Sequence, residues 1–195
     1  MKLQINNLCK SFGDKAVLRN LSYTFEPKAI TLLKGESGVG KTTLLRIISG
    51  LEKADSGVVT GIDESGVSYA FQEHRLIPGI SALDNITVAC YGKATDDDRN
   101  EALQMLLRLK LTKADAMQLP KSMSGGMKQR ASLARAFLSK APILLLDEPF
   151  KELDAGLVII VKEIIRELAK TKTVILVSHS DTEDYADYTL QLDRL

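Results

Sequence analysis

The segment GESGVGKT, residues 35–42, has the residue types and the spacing of a loop that binds phosphate groups. Gly35 and Gly40 stand five positions apart, and Lys41 and Thr42 follow directly. Glycine lets the backbone turn its N–H groups inward, and together with the start of a helix these groups form a partly positive concave surface. A lysine at this position reaches the β- and γ-phosphates, and a threonine hydroxyl binds Mg²⁺. The segment therefore predicts a nucleoside triphosphate as the ligand, most simply ATP with Mg²⁺.

Apolar residues flank this loop on both sides, as its mechanism requires. AITLLKG before it predicts a buried strand, and TTLLRIISG after it predicts a helix that ends at Gly50. The alternative is an ordinary glycine-rich turn, but a chance match to the pattern is rare, about one in a hundred for a chain of this length. Kinases, GTPases and motors share such loops, so the loop alone leaves the reaction open. The predicted nucleotide contacts are Gly35, Glu36, Ser37, Gly38, Val39, Gly40, Lys41, Thr42 and Thr43.

Two adjacent carboxylates follow a second apolar run, ILLLDEP at residues 143–149. Ligands of parallel sheets bind beyond the carboxyl ends of the strands, which places Asp147 in the coordination shell of Mg²⁺. Glu148 is expected to point the other way along the pleat, where it could polarise an attacking water. A strand that simply ends in solvated acids is the alternative, and the phosphate-binding loop makes that alternative the weaker one.

The order of apolar patterns predicts an α/β fold with a mainly parallel sheet that is covered on both faces. Patchy alternation in the first 27 residues predicts short antiparallel strands, and VSYAFQ predicts a strand that ends at Gln72. Helical spacing of apolar residues dominates from about 76 to 138. We therefore expect a single domain over 1–195 with a P-loop NTPase core: a β and phosphate-loop part (1–75) with an N-terminal antiparallel β subdomain, an inserted helical lobe (76–138), and a return to the core (139–195).

Composition narrows the class of partner. The chain has 195 residues, 26 of them basic and 25 acidic, and a formal charge of +1 gives no broad field to attract nucleic acid. Cys9 and Cys90 form no CxxC pair, which indicates buried structural thiols in a reducing compartment. The segment MKLQINNLCK does not resemble a secretory signal, and no run approaches the ~20 apolar residues of a membrane span. Any link to a membrane is therefore expected to go through a partner.

The segment MSGGMKQR at 123–130 separates the remaining possibilities. Together with the phosphate loop, Gln72, the DEP at 147–149, Asp154 and His179, it resembles the nucleotide-binding domain of ABC ATPases over nearly the whole chain. FQEHRLIP, LDNITVA, SGGMKQR and LLLDEPF are, more narrowly, similar to the ATPase subunits of nitrate, sulfonate and taurine importers.

The resemblance implies a site shared between two chains. Ser124, Gly125 and Gly126 would form a signature loop that touches the γ-phosphate bound by a second copy. The local sequence agrees, because serine is a good N-cap and helix N-termini attract anions. A plain helix cap is the alternative for SGG alone. Asp154 would also belong to this nucleotide site, although Lys151 and Glu152 stand where the family more often has Ser and Ala.

The resemblance also implies roles for three further residues. Gln72 would sense Mg²⁺ and the attacking water, and His179 would contact the γ-phosphate and steady Glu148. Phe12 would stack on adenine, with a core phenylalanine as the alternative. His74 has no such support and is interpreted as a surface residue.

The predicted function is an ATP-hydrolysing subunit of an ABC membrane transporter. Its expected partners are a second copy or a related ATPase subunit around two ATP, and integral membrane permease subunits that hold it at the cytoplasmic face. No nucleic acid is expected. A small P-loop kinase and a soluble ABC ATPase unconnected to transport are the alternatives. The predicted catalytic residues are Glu148, His179, Gln72 and Lys41, and the predicted metal-binding residues are Thr42, Gln72 and Asp147.

Overall fold

The computed structural model of the chain describes residues 2–91, 93–178 and 183–193. It divides into two compact units. The sheet unit comprises Met1–Tyr69, Ala141–Asp147 and Ala169–Leu195, and the helical unit comprises Ala70–Lys140 and Glu148–Leu168. The three-segment division expected from the sequence stays a prediction.

The strands form one antiparallel and one mainly parallel sheet. The antiparallel sheet has the order β2-β1-β4, and the larger sheet has the order β5-β6-β7-β3-β8. β3 runs parallel to β7 and β8, and β6 runs parallel to β7. The strands of the described residues are β1 (Gln4–Phe12), β2 (Lys15–Thr24), β3 (Ile30–Lys34), β4 (Ser56–Thr60), β5 (Val67–Ala70), β6 (Ile143–Asp147), β7 (Thr173–Val177) and β8 (Tyr188–Gln191).

The strand predictions are confirmed in type and partly wrong in extent. β1 and β2 pair antiparallel, as expected, but they have nine and ten residues and are not short. The Gly13–Asp14 turn joins them, with Gly13 at φ 58. β5 ends at Ala70, so the prediction that this strand reaches Gln72 is wrong. The apolar pattern continues through Phe71, whereas the backbone has already left the sheet.

The described helices comprise one in the sheet unit and a group in the helical unit. They are α1 (Lys41–Ile48), α2 (Ala82–Tyr91), α3 (Asp96–Arg108), α4 (Lys113–Ala116), α5 (Gly125–Leu138) and α6 (Ala155–Ala169), with short 3₁₀ turns at Pro120–Ser122 and Glu183–Tyr185. Within the part of the chain that the structure describes, we find no helix that is both long enough and apolar enough to span a bilayer.

α1 covers one face of the parallel sheet. Its residues Leu44, Leu45 and Ile48 are buried in a core cluster with Leu33, Leu145, Ile175 and Val177, whereas Arg46 is exposed. Gly50 at φ 74 follows the end of the helix, and its N–H donates to the Ile47 carbonyl, as the predicted helix stop requires. This packing fixes the start of α1 at the carboxyl edge of the sheet.

Side-chain caps and apolar faces define the helical unit. Thr95 and Thr112 form capping boxes with Asp98 and Asp115 at the starts of α3 and α4. α2, α3 and α5 pack against one another. α6 is a helix, as its spacing predicts, and it buries Leu157, Val161, Ile164 and Ile165.

Candidate nucleotide-binding site

The loop between β3 and α1 has the backbone of a phosphate cradle. Gly35, Gly38 and Gly40 have φ angles of 146, 78 and 114°, values that favour glycine. A Cβ on Gly40 would lie 2.7 Å from Cγ1 of Val17, and one on Gly35 would overlap the carbonyl oxygen of Leu192. Two of the three glycines are therefore required by both conformation and space.

Lys41 lies folded over this loop. Lys41 is only 7% exposed, and its Nζ donates to the carbonyl oxygens of Gly35 at 2.6 Å and Glu36 at 2.9 Å. A buried ammonium needs such partners, and phosphate oxygens would be stronger acceptors than these neutral carbonyls.

The N-terminus of α1 is open to an anion. Gly40 is its N-cap, and among the described residues no side chain caps it and no acid lies in its first turn. The first N–H groups of a helix need acceptors, and the partial positive charge there favours an anion. The loop, Lys41 and this helix end together fit a bound phosphate chain.

A cavity of about 490 Å³ adjoins the loop within the sheet unit. Its lining includes Asp14, Lys15, Val17 and Arg19 on one side and Ser37 and Gly38 on the other. Phe12 pairs in register with Lys15, and its side chain is 51% exposed. The Lys10 ammonium lies 4.9 Å from the centroid of the Phe12 ring. The alternative of a core phenylalanine at this position is therefore wrong.

Asp147 is the last residue of β6 and is only 2% exposed. Alternation along the strand places its side chain on the same face as Ile143 and Leu145, which belong to the core cluster under α1. The Tyr69 hydroxyl donates to Oδ2 of Asp147 at 3.2 Å. The structure thus puts a buried carboxylate on the sheet face that carries α1 and its threonine, Thr42.

Glu148 does not continue the strand. Its φ angle is 52°, a left-handed conformation that costs a non-glycine residue about 1–2 kcal/mol. The expectation that Glu148 points opposite to Asp147 rests on the alternation of side chains along a strand. That argument is wrong here, because the strand ends one residue before Glu148. Gln129, which is 3% exposed in α5, donates its side-chain amide to the carbonyl oxygen of Pro149 at 3.3 Å and supports this turn. Sequence reasoning did not single out Gln129, although it stands inside the MSGGMKQR segment.

The signature segment begins α5 as expected. Ser124 is the N-cap, and its Oγ accepts from the N–H of Met127 at 3.3 Å. A Cβ on Gly125 would overlap Oε2 of Glu152, and one on Gly126 would lie 3.1 Å from the Glu152 carbonyl oxygen. These glycines therefore allow the turn around Glu152 to approach the start of the helix.

Glu152 and His74 form a pair of titratable groups in the helical unit. Glu152 has a φ angle of 62°, and its Oε2 lies 3.8 Å from Nε2 of His74. Burial lowers the pKa of His74 below its usual value, although the Glu152 charge acts in the opposite direction. His74, which the sequence analysis interprets as a surface residue, is partly buried against the turn, with its side chain 23% exposed.

The remaining predicted site residues lie in the helical unit or outside the described residues. Asp154 caps α6, where its Oδ1 accepts from the N–H of Leu157 at 2.9 Å. Gln72 is exposed and belongs to the helical unit, beyond the end of β5. His179 lies outside the described residues, so its predicted role stays a prediction.

The comparisons with known proteins decide the family. A family model described as ABC transporter matches residues 18–151, more than half of the chain. The chain belongs to the ABC transporter family. An aliphatic sulfonates import ATP-binding protein from Corynebacterium glutamicum is 40% identical, over 97% of this chain and 79% of that relative.

Solved structures of ABC cassettes share the fold. The dimeric structure of the bacterial ABC transporter cassette MJ0796 is 26% identical, has a TM-score of 0.88, and is matched over 98% of this chain and 94% of that one. A dimeric post-hydrolysis state of the same cassette, bound to ADP and Pi, has a TM-score of 0.87 at 26% identity and is matched over 97% of this chain and 94% of that one. The predicted fold, with a P-loop NTPase core, an antiparallel β part and a helical insertion, is confirmed. So is the prediction of an ATP-binding, ATP-hydrolysing ABC transporter subunit, which removes the small-kinase alternative.

Proposed function

We propose that this chain hydrolyses ATP with Mg²⁺ in a head-to-tail pair of cassettes and so drives solute import through membrane permease subunits. The observation that carries the proposal is the phosphate loop, where the Lys41 ammonium lies 2.6 Å from the Gly35 carbonyl above the uncapped start of α1. In this account, Lys41 exchanges these carbonyls for β- and γ-phosphate oxygens, which are stronger acceptors. The nucleobase would occupy the adjoining cavity, with Phe12 stacked on the ring.

The donor set at the carboxyl edge of the sheet fits Mg²⁺. Hydroxyl, carboxylate and amide oxygens are the ligands that Mg²⁺ prefers, and Thr42, Asp147 and Gln72 would supply them, partly through water. The buried Asp147 carboxylate lies on the sheet face that bears α1, which supports this assignment. When bound, Mg²⁺ neutralises developing charge on the phosphate oxygens.

Glu148 would accept the proton of the attacking water, or orient that water. It follows Asp147 directly, and its left-handed backbone is the kind of strained conformation that clusters at active sites. His179 would steady Glu148, and Gln72 would place the water. Most of the catalysis would come from positioning and charge stabilisation, because phosphoryl transfer asks little covalent chemistry of a protein.

The pocket would be completed by a second cassette. Ser124, Gly125 and Gly126 at the start of α5 would meet the γ-phosphate held by the other chain, and Asp154 would act near the same junction. The dimeric MJ0796 structures support a paired arrangement. A second copy of this chain, or a related ATPase subunit, would serve as the partner.

Transport requires permease subunits, and these would hold the chain at the cytoplasmic face of the membrane. The names of the sulfonate-importer relatives support import and favour this importer type. Two apolar residues between Gln72 and α2 would contact a permease, since Ile77 is 48% exposed and Ile80 is only partly buried. Leu83, inside α2, is buried and is therefore not part of the proposed contact.

Phosphate release in water, with no phosphoryl acceptor present, tests the proposal. Wild-type protein, purified with its permease partners, is expected to release phosphate, and Lys41→Ala is expected to lose both ATP affinity and turnover. Lys53→Ala removes an exposed lysine of the same unit and serves as the matched control. Equal phosphate release by wild type and Lys41→Ala would contradict the assignment of this loop.

A further inference from the structure

Tyr69 connects the neighbouring strand β5 to the buried carboxylate at the end of β6. Its hydroxyl donates to Oδ2 of Asp147 at 3.2 Å, and both residues lie in the sheet unit. β5 is the edge neighbour of β6 in the parallel sheet. Asp147 is only 2% exposed, and an ionised carboxylate at that depth needs hydrogen-bond donors to remain charged.

The position of the Tyr69 ring is fixed by packing. Val67 and Tyr69 pack against the core cluster, and the intervening Ser68 is buried on the opposite face of β5. An aromatic ring has few rotatable bonds, so a packed ring holds its hydroxyl in one place. The phenol therefore reaches Asp147 from a rigid strand and not from a loop.

We propose that Tyr69 is a positioning residue, which orients the Asp147 carboxylate toward the metal of the MgATP complex. The proposal rests on the proposed role of Asp147 in holding Mg²⁺. A donor on one carboxylate oxygen fixes the rotation of the whole group, so the direction of the other oxygen is set as well. Hydrogen bonds of this kind, to a group that itself binds a metal, typically change metal affinity about 10- to 100-fold when they are removed.

The sharpest test measures metal binding and not turnover. Mn²⁺ replaces Mg²⁺ as a paramagnetic probe, and electron paramagnetic resonance gives its affinity for the full-length protein with a non-hydrolysable ATP analogue. Tyr69→Phe keeps the packed ring and removes only the hydroxyl. It is expected to weaken Mn²⁺ binding about tenfold, while the affinity for the analogue in EDTA stays unchanged.

Tyr23→Phe is the matched control. Tyr23 also packs against this core cluster, but it lies on β2 in the antiparallel sheet. Its loss of a hydroxyl is expected to leave Mn²⁺ affinity at the wild-type value. An equal loss of affinity in both variants would show a general packing effect and overturn the proposal.

A double-mutant cycle with Asp147→Asn separates this proposal from the function on which it rests. If Tyr69 acts through Asp147, then Tyr69→Phe adds no further loss of Mn²⁺ affinity in the Asp147→Asn background. A loss with Asp147→Asn but none with Tyr69→Phe alone would overturn the role of Tyr69 and leave that of Asp147 intact. No loss with Asp147→Asn would overturn the metal site itself.

A second variant keeps the test decisive if Tyr69→Phe does not fold. Fluorotyrosine incorporated at residue 69 retains the ring and the hydroxyl but makes that hydroxyl a stronger donor. Altered Mn²⁺ affinity with unchanged analogue affinity in EDTA supports the proposal, and unchanged Mn²⁺ affinity overturns it.

Discussion

The phosphate loop and the signature turn both place glycines at the start of a helix, yet they use glycine for different reasons. In the phosphate loop the φ angles of Gly35, Gly38 and Gly40 are positive, so the backbone itself makes a concave surface. In the signature turn the φ angles of Gly125 and Gly126 lie outside the left-handed region. There the missing side chains leave room for the turn that carries Glu152.

The two helix starts also differ in what already occupies them. The start of α1 carries Lys41 and N–H groups that no described side chain caps, so a single chain can bind phosphates there. Ser124 caps the second, and the Glu152 carboxylate lies against it. A terminal phosphate that approaches the signature turn must therefore meet a negative charge. The start of α1 therefore attracts an anion, whereas the start of α5 presents a carboxylate that repels one.

Replacement of one glycine by alanine in the phosphate loop and in the signature turn should give the largest difference between these two regions. Gly40→Ala combines a φ of 114° with a Cβ only 2.7 Å from Val17, and such strain costs about 2–3 kcal/mol. We expect ATP affinity to fall about 100-fold in calorimetric titration. Gly126→Ala should leave ATP binding by the single chain unchanged and weaken only ATP-dependent pairing. Equal losses of ATP affinity in both variants would remove the distinction.

Removal of the Glu152 charge should ease pairing by a smaller factor. Glu152→Gln keeps the shape of the side chain and removes repulsion worth about 1 kcal/mol at a partly exposed site. The ATP concentration for half-maximal pairing, measured by light scattering, should fall about fivefold, and less at high salt. Glu163→Gln, an exposed acid of α6, provides the same charge change and should have no effect. A higher ATP requirement in Glu152→Gln would show that the carboxylate assists pairing.

Loss of a helix cap should give the smallest effect and show whether Ser124 does more than cap. Ser124→Ala and Thr95→Ala each remove an N-cap hydroxyl in the helical unit, at α5 and α3. Each should lower the free energy of unfolding in urea by about 1 kcal/mol. Only Ser124→Ala should also weaken ATP-dependent pairing. If pairing is equally strong in both variants, Ser124 is a cap and nothing more.

Local patterns were sufficient to predict the elements that carry the phosphate loop. The spacing of Leu44, Leu45 and Ile48 and the glycine at 50 determine α1 within nine residues of chain, and α6 follows from its own apolar spacing. β6 was predicted by an apolar run with acids at its end. Such features depend on neighbours in sequence, so the sequence alone contains them.

Features that depend on tertiary contact were not predictable in this way. Nothing in the letters KELD indicates that Glu152 covers Gly125, because this contact joins segments more than twenty residues apart. The left-handed backbone of Glu148 is unusual for its residue type. The alternation of side chains along a strand therefore does not give the direction of the Glu148 side chain. The Tyr69 hydrogen bond to Asp147 likewise depends on how β5 is placed beside β6.

The central claim is that each chain holds only part of a catalytic pocket and that ATP joins two chains by being bound from both sides. Glu148→Gln should bind MgATP and nearly stop turnover, so that the closed pair accumulates. Size-exclusion chromatography with light scattering then measures the mass with and without MgATP. We expect a dimer of about twice 21.4 kDa with MgATP and a monomer without it. A monomer at saturating MgATP, in a variant shown to bind the nucleotide, would contradict the account.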